Sequence, residues 1–283
     1  YHDGSLANEL AIEADNDYVT QCRQQGIYPV AYVPHNHHFL WATTTMEGRS
    51  ADAIAAARHT AGHVNESLIR EPQLVALQHF SSIPYYAYVR FGKWDEILGE
   101  PAPDADLLYP TAVWHYARGI AYARKGQLAE ANQELRLVRK IASDPALDEL
   151  KIWGLNPTSE LAKIAALVLS AELDAARGKS KQAVVSLRKA IAIEDALIYG
   201  EPPDWFYPVR HNLGAILLDA GRPKEAERVY RADLARFPGN GWSLMGLAQS
   251  LRAQGKTKQA DEVQAEFEDA WKYADVEITA SRI

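Results

Sequence analysis

Residues 213–238 read LGAILLDAGRPKEAERVYRADLARFP, and this stretch decides the fold. Two segments with the apolar spacing of helices flank Gly221, and Ala226 follows that glycine by five residues. The glycine permits the left-handed turn that ends a first helix, and the small alanine allows a second helix to pack closely. Pro238 lies just past the second helix, which a proline cannot continue. The stretch therefore predicts a helical hairpin with apolar positions at Leu213, Leu217, Leu218, Ala226, Val229, Tyr230 and Leu234.

The same spacing of a glycine and a small residue recurs along the chain. The copies are Gly48/Ala53, Gly126/Ala131, Gly178/Ala183, Gly221/Ala226 and Gly255/Ala260, with Gly92/Ile97 as a weaker sixth. Two of the intervals between successive glycines are 34 residues, which is the period of tetratricopeptide repeats. The remaining intervals of 44, 52 and 43 residues predict inserted loops, and the sequence contains loop-like interruptions near residues 99–110, 144–158 and 199–208. We therefore expect an all-α fold in which about six hairpins form one right-handed superhelical solenoid over residues 1–283.

Composition and motifs narrow the classes of function. A formal charge of −7 argues against nucleic acid or anionic lipid as a partner. Cys22 is the only cysteine, which excludes an intrachain disulfide and a cysteine-based zinc site, and we expect it to be a small buried hydrophobe. No apolar stretch reaches the roughly 18 residues of a membrane span. The sequence contains no Gly-rich phosphate loop, no nucleophile elbow and no dinucleotide-binding fingerprint, so it predicts no catalytic residue.

The first helix of each hairpin is expected to line a concave groove. Pro34 is suited to the first turn of a helix, and it places His35 and His38 one turn apart on the groove face. His37 should point instead into the seam of the hairpin. Counting back from the turn glycines predicts a ligand groove formed by His35, His38, His79, Ser82, Tyr86, Tyr116, His211, Trp242 and Gln249.

The histidines leave two interpretations open. Imidazole nitrogens bind zinc and copper, and His35, His38 and His79 would supply three ligands from adjacent hairpins. Alternatively, the rings bond neighbouring groups in an aromatic seam and no cofactor is present. Residues 205–207 also have two interpretations. They belong to a functional loop, or their side chains fill the space between two hairpins. Elemental analysis of the purified protein distinguishes the metal site from its alternative.

Several longer segments resemble a family of bacterial tetratricopeptide repeat proteins, most of which are uncharacterised. The segments read GIYPVAYVPHNHHFLWATTTMEGRSADAIAAAR, RFGKWDEILGEPAP, WHYARGIAYARKGQ, EPPDWFYPVRHNLGAILLDAG and NGWSLMGLAQSLRAQG. The resemblance implies that this chain corresponds to the second half of such proteins, beginning inside a repeat as a fragment or processed product. Because members of the family often carry an export signal, the resemblance leaves a periplasmic, secreted or cytoplasmic location open.

These observations favour a non-enzymatic scaffold that presents a concave groove to a peptide, a protein or another extended ligand. One alternative is a His-based protein that binds a transition metal. Another is the C-terminal half of an enzyme whose catalytic residues lie upstream. At the N-terminal end, we expect the side chains of Leu6, Leu10 and Ile12 to be only partly covered by other helices of this chain. This predicts self-association or contact with a precursor segment.

Overall fold

The computed structural model describes residues 1–22 and 27–283, and this part of the chain is predominantly helical with almost no strand. The helices are α1 (His2–Cys22), α2 (Ile27–Met46), α3 (Ser50–Gly62), α4 (Val75–Arg90), α5 (Trp94–Gly99), α6 (Leu108–Arg124), α7 (Leu128–Ala142), α8 (Ala146–Glu149), α9 (Thr158–Ala176), α10 (Ser180–Ala196), α11 (Val209–Asp219), α12 (Pro223–Arg236), α13 (Gly241–Arg252) and α14 (Thr257–Ala270). A short 3₁₀ helix covers Pro72–Leu74. None of the helices in these ranges combines the length and the apolar character that a membrane span requires.

Successive helices pack as hairpins. In the described residues the pairs are α2/α3, α4/α5, α6/α7, α9/α10, α11/α12 and α13/α14, and α1 packs on α2 ahead of them. Each hairpin also contacts the next one, so that a single hydrophobic core runs through the stack. The prediction of an all-α helical repeat of about six hairpins is confirmed.

The turns between paired helices have the conformation that the glycines predict. All six turn glycines have a positive φ, between 67° and 78°. At the α11/α12 turn, the N–H of Arg222 donates to the carbonyl of Leu217 at 2.9 Å, and the N–H of Gly221 donates to that of Leu218 at 2.9 Å. These bonds satisfy carbonyl groups that the end of α11 would otherwise leave unpaired. The prediction that each glycine ends a first helix is confirmed.

The small residues that follow the glycines lie at the closest helix contacts. Their side chains are completely inaccessible at Ala53, Ala131, Ala183, Ala226 and Ala260, and the same holds for Ile97 in the weaker copy. A larger side chain at these positions would hold the two helices apart. The structure therefore confirms the close packing expected in the second helix of each hairpin.

Irregular segments occupy the longer intervals of the repeat. Residues 100–107 connect α5 to α6, and α5 is only six residues long. Between α7 and α9 the chain forms α8 and two short antiparallel strands, β1 (Lys151–Ile152) and β2 (Asn156–Pro157). Residues 197–208 connect α10 to α11, and their aromatic side chains Trp205, Phe206 and Tyr207 are buried in the core.

The start of α2 corrects an expectation. We expected Pro34 to open the helix, but α2 begins at Ile27 and Pro34 lies inside it. A proline in a helix interior removes one backbone hydrogen bond. Contacts between α2 and its neighbouring helices offset that loss here. The side chain of Cys22 lies outside the described residues, so the expectation for it stays untested.

The first and last hairpins contact each other. The indole N–H of Trp242 in α13 donates to the carbonyl of Thr45 in α2 at 2.9 Å. The carboxylate of Asp275 accepts hydrogen bonds from the N–H groups of Ser50 and Ala51, at 2.6 and 2.9 Å, and so caps the start of α3. Because the ends of the stack meet in this way, the first helices of the hairpins enclose an interior.

Candidate functional site

An aromatic cluster lies in this interior around two of the predicted histidines. The rings of His38 and His79 are 5.6 Å apart between centroids, and His38 stacks on Trp41 at 5.5 Å. His79 Nδ1 is 3.0 Å from the hydroxyl of Tyr109, which in turn is 3.3 Å from the hydroxyl of Tyr86. The structure thus brings His38, His79 and Tyr86 together, but as buried side chains and not as an open wall.

Burial keeps both imidazoles neutral. It lowers the pKa of His79 to about 4 and that of His38 well below its ordinary value, with the neighbouring imidazole lowering the latter further. Neither Nε2 atom has a hydrogen-bond partner. A neutral imidazole with a free nitrogen is the form that binds a metal.

His35, the third predicted metal ligand, lies elsewhere. It is exposed and its ring packs on Phe39 at 4.5 Å. Among the side chains that the structure describes, no three His, Cys, Asp or Glu groups converge as a metal site would require. Zinc or copper binding by His35, His38 and His79 therefore stays a prediction. His37 stacks on His59 at 4.9 Å, in the seam between α2 and α3 where it was expected.

The other two predicted residues of this region are also in the interior. Ser82 donates its hydroxyl to the carbonyl of Gln78 at 2.8 Å, within its own helix. Tyr116 is buried and its ring lies 5.5 Å from that of Trp205. Trp205 and Tyr109 complete the cluster, and the groove prediction missed both. Their positions in or beside the inserted loops are the only signal in the sequence that would have drawn attention to them.

A second buried cluster is centred on Arg90. Its guanidinium lies between two aromatic rings, with its carbon 3.4 Å from the centroid of Trp242 and 4.4 Å from that of Tyr207. One terminal nitrogen is 2.9 Å from His211 Nδ1, and His211 Nε2 is 2.9 Å from the carboxylate of Asp233. An ionised arginine between aromatic rings is a strong anchor, because its planar guanidinium both stacks on the rings and donates hydrogen bonds.

Hydrogen bonding in this cluster fixes the state of His211. Arginine can only donate, so Nδ1 of His211 accepts its hydrogen bond and the ring proton resides on Nε2. That proton points at Asp233, whose carboxylate also accepts from the hydroxyl of Ser243 at 2.7 Å and the amide of Asn240 at 3.2 Å. A neutral His211 therefore bridges a buried cation and a buried anion, and burial is the main cause that lowers its pKa. His211 has a structural role in this arrangement.

Residues 272–283 form a non-helical segment of turns and bends that packs on the stack, with Ile278 and Ser281 buried. Gln249 donates its side-chain amide to the carbonyl of Thr279 at 2.6 Å, and Arg90 donates to the carbonyl of Ser281 at 3.2 Å. The hydroxyl of Ser281 donates to the backbone carbonyl of His211 at 2.7 Å. Of the predicted groove residues, His211 and Gln249 thus contact a polypeptide, and that polypeptide belongs to this chain. We call residues 272–283 the inner segment.

Charge also holds the inner segment. The guanidinium of Arg282 bonds the carboxylate of Glu172 in α9 and lies 3.0 Å from that of Asp219 at the end of α11. Arg124 in α6 lies 3.0 Å from the same Glu172 carboxylate. These ion pairs lower the pKa of Glu172, although its burial acts in the opposite direction and is the largest single effect. Arg282 of the inner segment therefore joins α9 to α11, and α6 is linked to this group through Glu172.

A cavity of about 360 Å³ remains open beside the 197–208 loop. One wall is the part of α2 that follows the histidines, and the other is the loop itself with the adjoining ends of α10 and α12. We call it the loop cavity. Its lining consists of Tyr1, Phe39, Ala42, Thr43, Met46, Glu194, residues 197–206, Arg236 and Phe237.

Two buried carboxyl groups line the loop cavity. Burial raises the pKa of Glu194 to about 8 and that of Asp204 to about 6. Glu194 accepts a hydrogen bond from the N–H of Val209 at 3.1 Å, and Asp204 accepts one from the side-chain amide of Asn156 at 2.8 Å. Apolar walls with a few placed polar groups are typical of ligand-binding cavities.

A family model described as tetratricopeptide repeat matches residues 208–232. This range covers α11 and much of α12, the hairpin with the clearest repeat pattern. Residues 208–232 are thus similar to a tetratricopeptide repeat. A search among curated proteins gave no match to the sequence. The bacterial origin and the correspondence to the second half of a longer protein stay predictions.

Proposed function

We propose that this protein is a non-enzymatic tetratricopeptide-type scaffold whose interior groove face holds an extended polypeptide segment. Helical repeats of this kind fit a role in protein interaction, because the first helices of successive hairpins form one long surface. The observation that carries the proposal is the inner segment, a non-helical stretch of this chain bound along that surface. The first helices α4, α9, α11 and α13 all contact it, and Tyr230 of α12 and the start of α3 bond it as well.

The contacts to the inner segment have two distinct chemistries. Gln249 and Arg90 donate to backbone carbonyls, so they recognise an extended main chain without regard to its sequence. Glu172 and Asp219 pair with Arg282, so they select a cation at one position. We infer that a partner would present an extended segment with an arginine beside a small hydroxyl residue, as Ser281 and Arg282 do here.

A cleavable form of the full chain tests the proposal. A protease recognition sequence is inserted after the exposed Glu277, so that residues 278–283 can be released once the protein has folded. A fluorescent peptide of residues 277–283 is then titrated into cut and uncut protein. We expect the cut protein to bind the peptide at least tenfold more tightly, because in the uncut protein the groove face is already occupied.

The matched control is the same peptide with Arg282→Glu, which should bind at least tenfold more weakly to the cut protein. Circular dichroism shows whether the cut protein stays folded. A folded, cut protein that binds neither peptide would contradict the proposal, and the inner segment would then be a structural part of the core. Equal binding of the two peptides would contradict the assigned role of Glu172 and Asp219.

We also propose that α1 forms a self-association surface. Its side chains Leu6 and Leu10 are 44% and 67% exposed, one helical turn apart, and Ile12 is partly exposed. Sedimentation over a range of concentrations should show dimers that Leu10→Asp abolishes and Val185→Asp, at a comparably exposed position in α10, retains. A wild-type protein that stays monomeric at every concentration would contradict this second proposal.

A further inference from the structure

The loop cavity contains an acidic group without a cationic partner. Asp204 is about 95% buried, and one of its oxygens accepts a hydrogen bond from Asn156. Its other oxygen, Oδ1, makes no hydrogen bond, and no Lys, Arg or His of the described ranges lies within ion-pair distance of it. A buried carboxylate without a cation is unfavourable, because burial costs it the solvation that water provides.

The other charges that line the loop cavity are already paired or exposed. Arg236 lies 3.0 Å from Asp195, and Arg210 binds the same carboxylate at 2.7 Å. Arg210 is also 3.8 Å from Glu194. Both arginines therefore bond the Asp195 carboxylate, and Asp204 is the buried carboxyl group of the cavity that has no arginine within ion-pair distance in the described ranges.

Aromatic side chains surround the remaining space. Phe39 and Tyr1 lie on one side, Trp205 and Phe206 on the loop side, and Phe237 at the end of α12. The faces of aromatic rings attract cations, and their surfaces bury apolar groups. The lining thus places the Asp204 carboxyl group beside a largely apolar and aromatic space.

We propose that the loop cavity binds a small amphiphilic amine, with its ammonium group at Asp204 and its apolar body between the aromatic walls. A cation at Oδ1 would supply the partner that the protein itself does not provide. The volume of about 360 Å³ accommodates an arylalkylamine. This inference concerns a different part of the molecule from the groove face, so either proposal can fail alone.

Binding should depend on pH through Asp204. The groups that face it are Asn156 from β2 and the phenols of Tyr86 and Tyr109 from α4 and α6, whose pKa values burial raises above their ordinary range. These neighbours stay neutral between pH 5 and 7.5, and a primary ammonium stays charged. Because the pKa of Asp204 is raised to about 6, the carboxylate form prevails at pH 7.5 and is lost toward pH 5.

Three probes of one shape test the proposal on the whole chain by calorimetry. They are 2-phenylethylammonium, the neutral 2-phenylethanol and the anionic 3-phenylpropanoate. At pH 7.5 we expect the ammonium to bind at least tenfold more tightly than either of the others, and to bind at least fivefold more weakly at pH 5. This pH comparison needs no variant and remains informative if a substitution disturbs folding.

Asp204→Asn keeps the acceptor for Asn156 but removes the charge, so it should lower the affinity for the ammonium at least tenfold. Glu262→Gln is the control, since Glu262 is an exposed glutamate of α14 that does not line the loop cavity, and the affinity of this variant should match that of the wild type. The proposal is overturned if the alcohol or the propanoate binds as tightly as the ammonium. It is also overturned if Asp204→Asn binds normally, or if none of the three probes binds.

Discussion

At the scale of single residues, the interior contains charged groups where a repeat protein usually places apolar ones. Arg90 and Asp233 are joined through His211, and Arg282 is held by Glu172. Removing one member of such a buried pair leaves an uncompensated charge and costs about 3–5 kcal/mol. These groups therefore specify one arrangement of the helices more strongly than they stabilise it. A misplaced helix would leave a buried charge without its partner.

Glu194 gives a prediction about pH at this scale. Its carboxyl holds a proton up to about pH 8 in the folded protein, whereas in the unfolded chain it releases the proton near its ordinary pKa of 4.5. The folded state binds more protons in this interval, so stability from this group is present at low pH and is lost as the pH rises toward 8. Glu194→Gln cannot lose a proton, and it should gain on the order of 3 kcal/mol relative to the wild type between pH 5.5 and pH 8.5.

Urea unfolding at the two pH values measures this effect. Glu227→Gln is the control, because hydrogen bonds from Lys256, Gln254 and Arg231 lower the pKa of Glu227 to about 2, despite some opposing desolvation. That group is ionised in both states throughout the interval, so its substitution should change stability equally at both pH values. An equal effect of Glu194→Gln at pH 5.5 and 8.5 would show that burial does not hold the proton on Glu194.

At the scale of the helical elements, each hairpin depends on one tight contact in its second helix. Ala226 in α12 is inaccessible, and a neighbouring ring, that of Tyr230, fills the space that Gly214 and Gly246 leave open in α11 and α13. Any Cβ at either glycine would lie within 2.3 Å of that ring. The helices of this region thus approach one another through residues with almost no side chain.

Overpacking at Ala226 should therefore be costly. Ala226→Leu is expected to lower the free energy of unfolding by about 1–3 kcal/mol, because three extra carbons have no space between α11 and α12. Ala235→Leu, at an exposed position of the same helix, should change it by less than about 0.5 kcal/mol. Chemical denaturation of both variants checks this, and similar midpoints for the two would mean that α12 can move away from α11 at little cost.

At the scale of the whole molecule, contacts between the first and last hairpins close the stack. Trp271, which follows α14, covers Gly48 at the α2/α3 turn. A Cβ at Gly48 would lie 2.4 Å from the indole, whereas a Cβ at Gly221 would meet no atom within 4 Å. The two glycines have the same role in their own turns, and only the first also lies at the closure.

This difference separates the cost of a strained turn from the cost of opening the closure. Gly221→Ala should cost about 1–2 kcal/mol, since alanine is strained at a positive φ. Gly48→Ala should cost the same and about 1–3 kcal/mol more, because Trp271 must move as well. Thermal unfolding with tryptophan fluorescence measures both, and equal losses of stability for the two variants would contradict a close contact between the ends of the stack.

The sequence by itself determined the local features of this protein. Helices, turn glycines such as Gly221 and tight alanines such as Ala226 follow from the spacing of apolar residues and from the φ angles that each residue type adopts. These properties depend on neighbours within about five positions, so they can be derived from the sequence alone. The start of α2 was the exception, because packing with other helices carries a helix through Pro34.

Only the tertiary structure decided what fills the interior. The rotation of each hairpin relative to the preceding one accumulates along the stack. Small differences in this rotation therefore determine whether the two ends of the stack stay apart or meet. Their meeting, through Trp242 and Trp271, turns the expected open groove into an interior that the inner segment and the loop aromatics occupy. The partners of Arg90 and Arg282 lie between 63 and 191 positions away in sequence, beyond the reach of any local pattern.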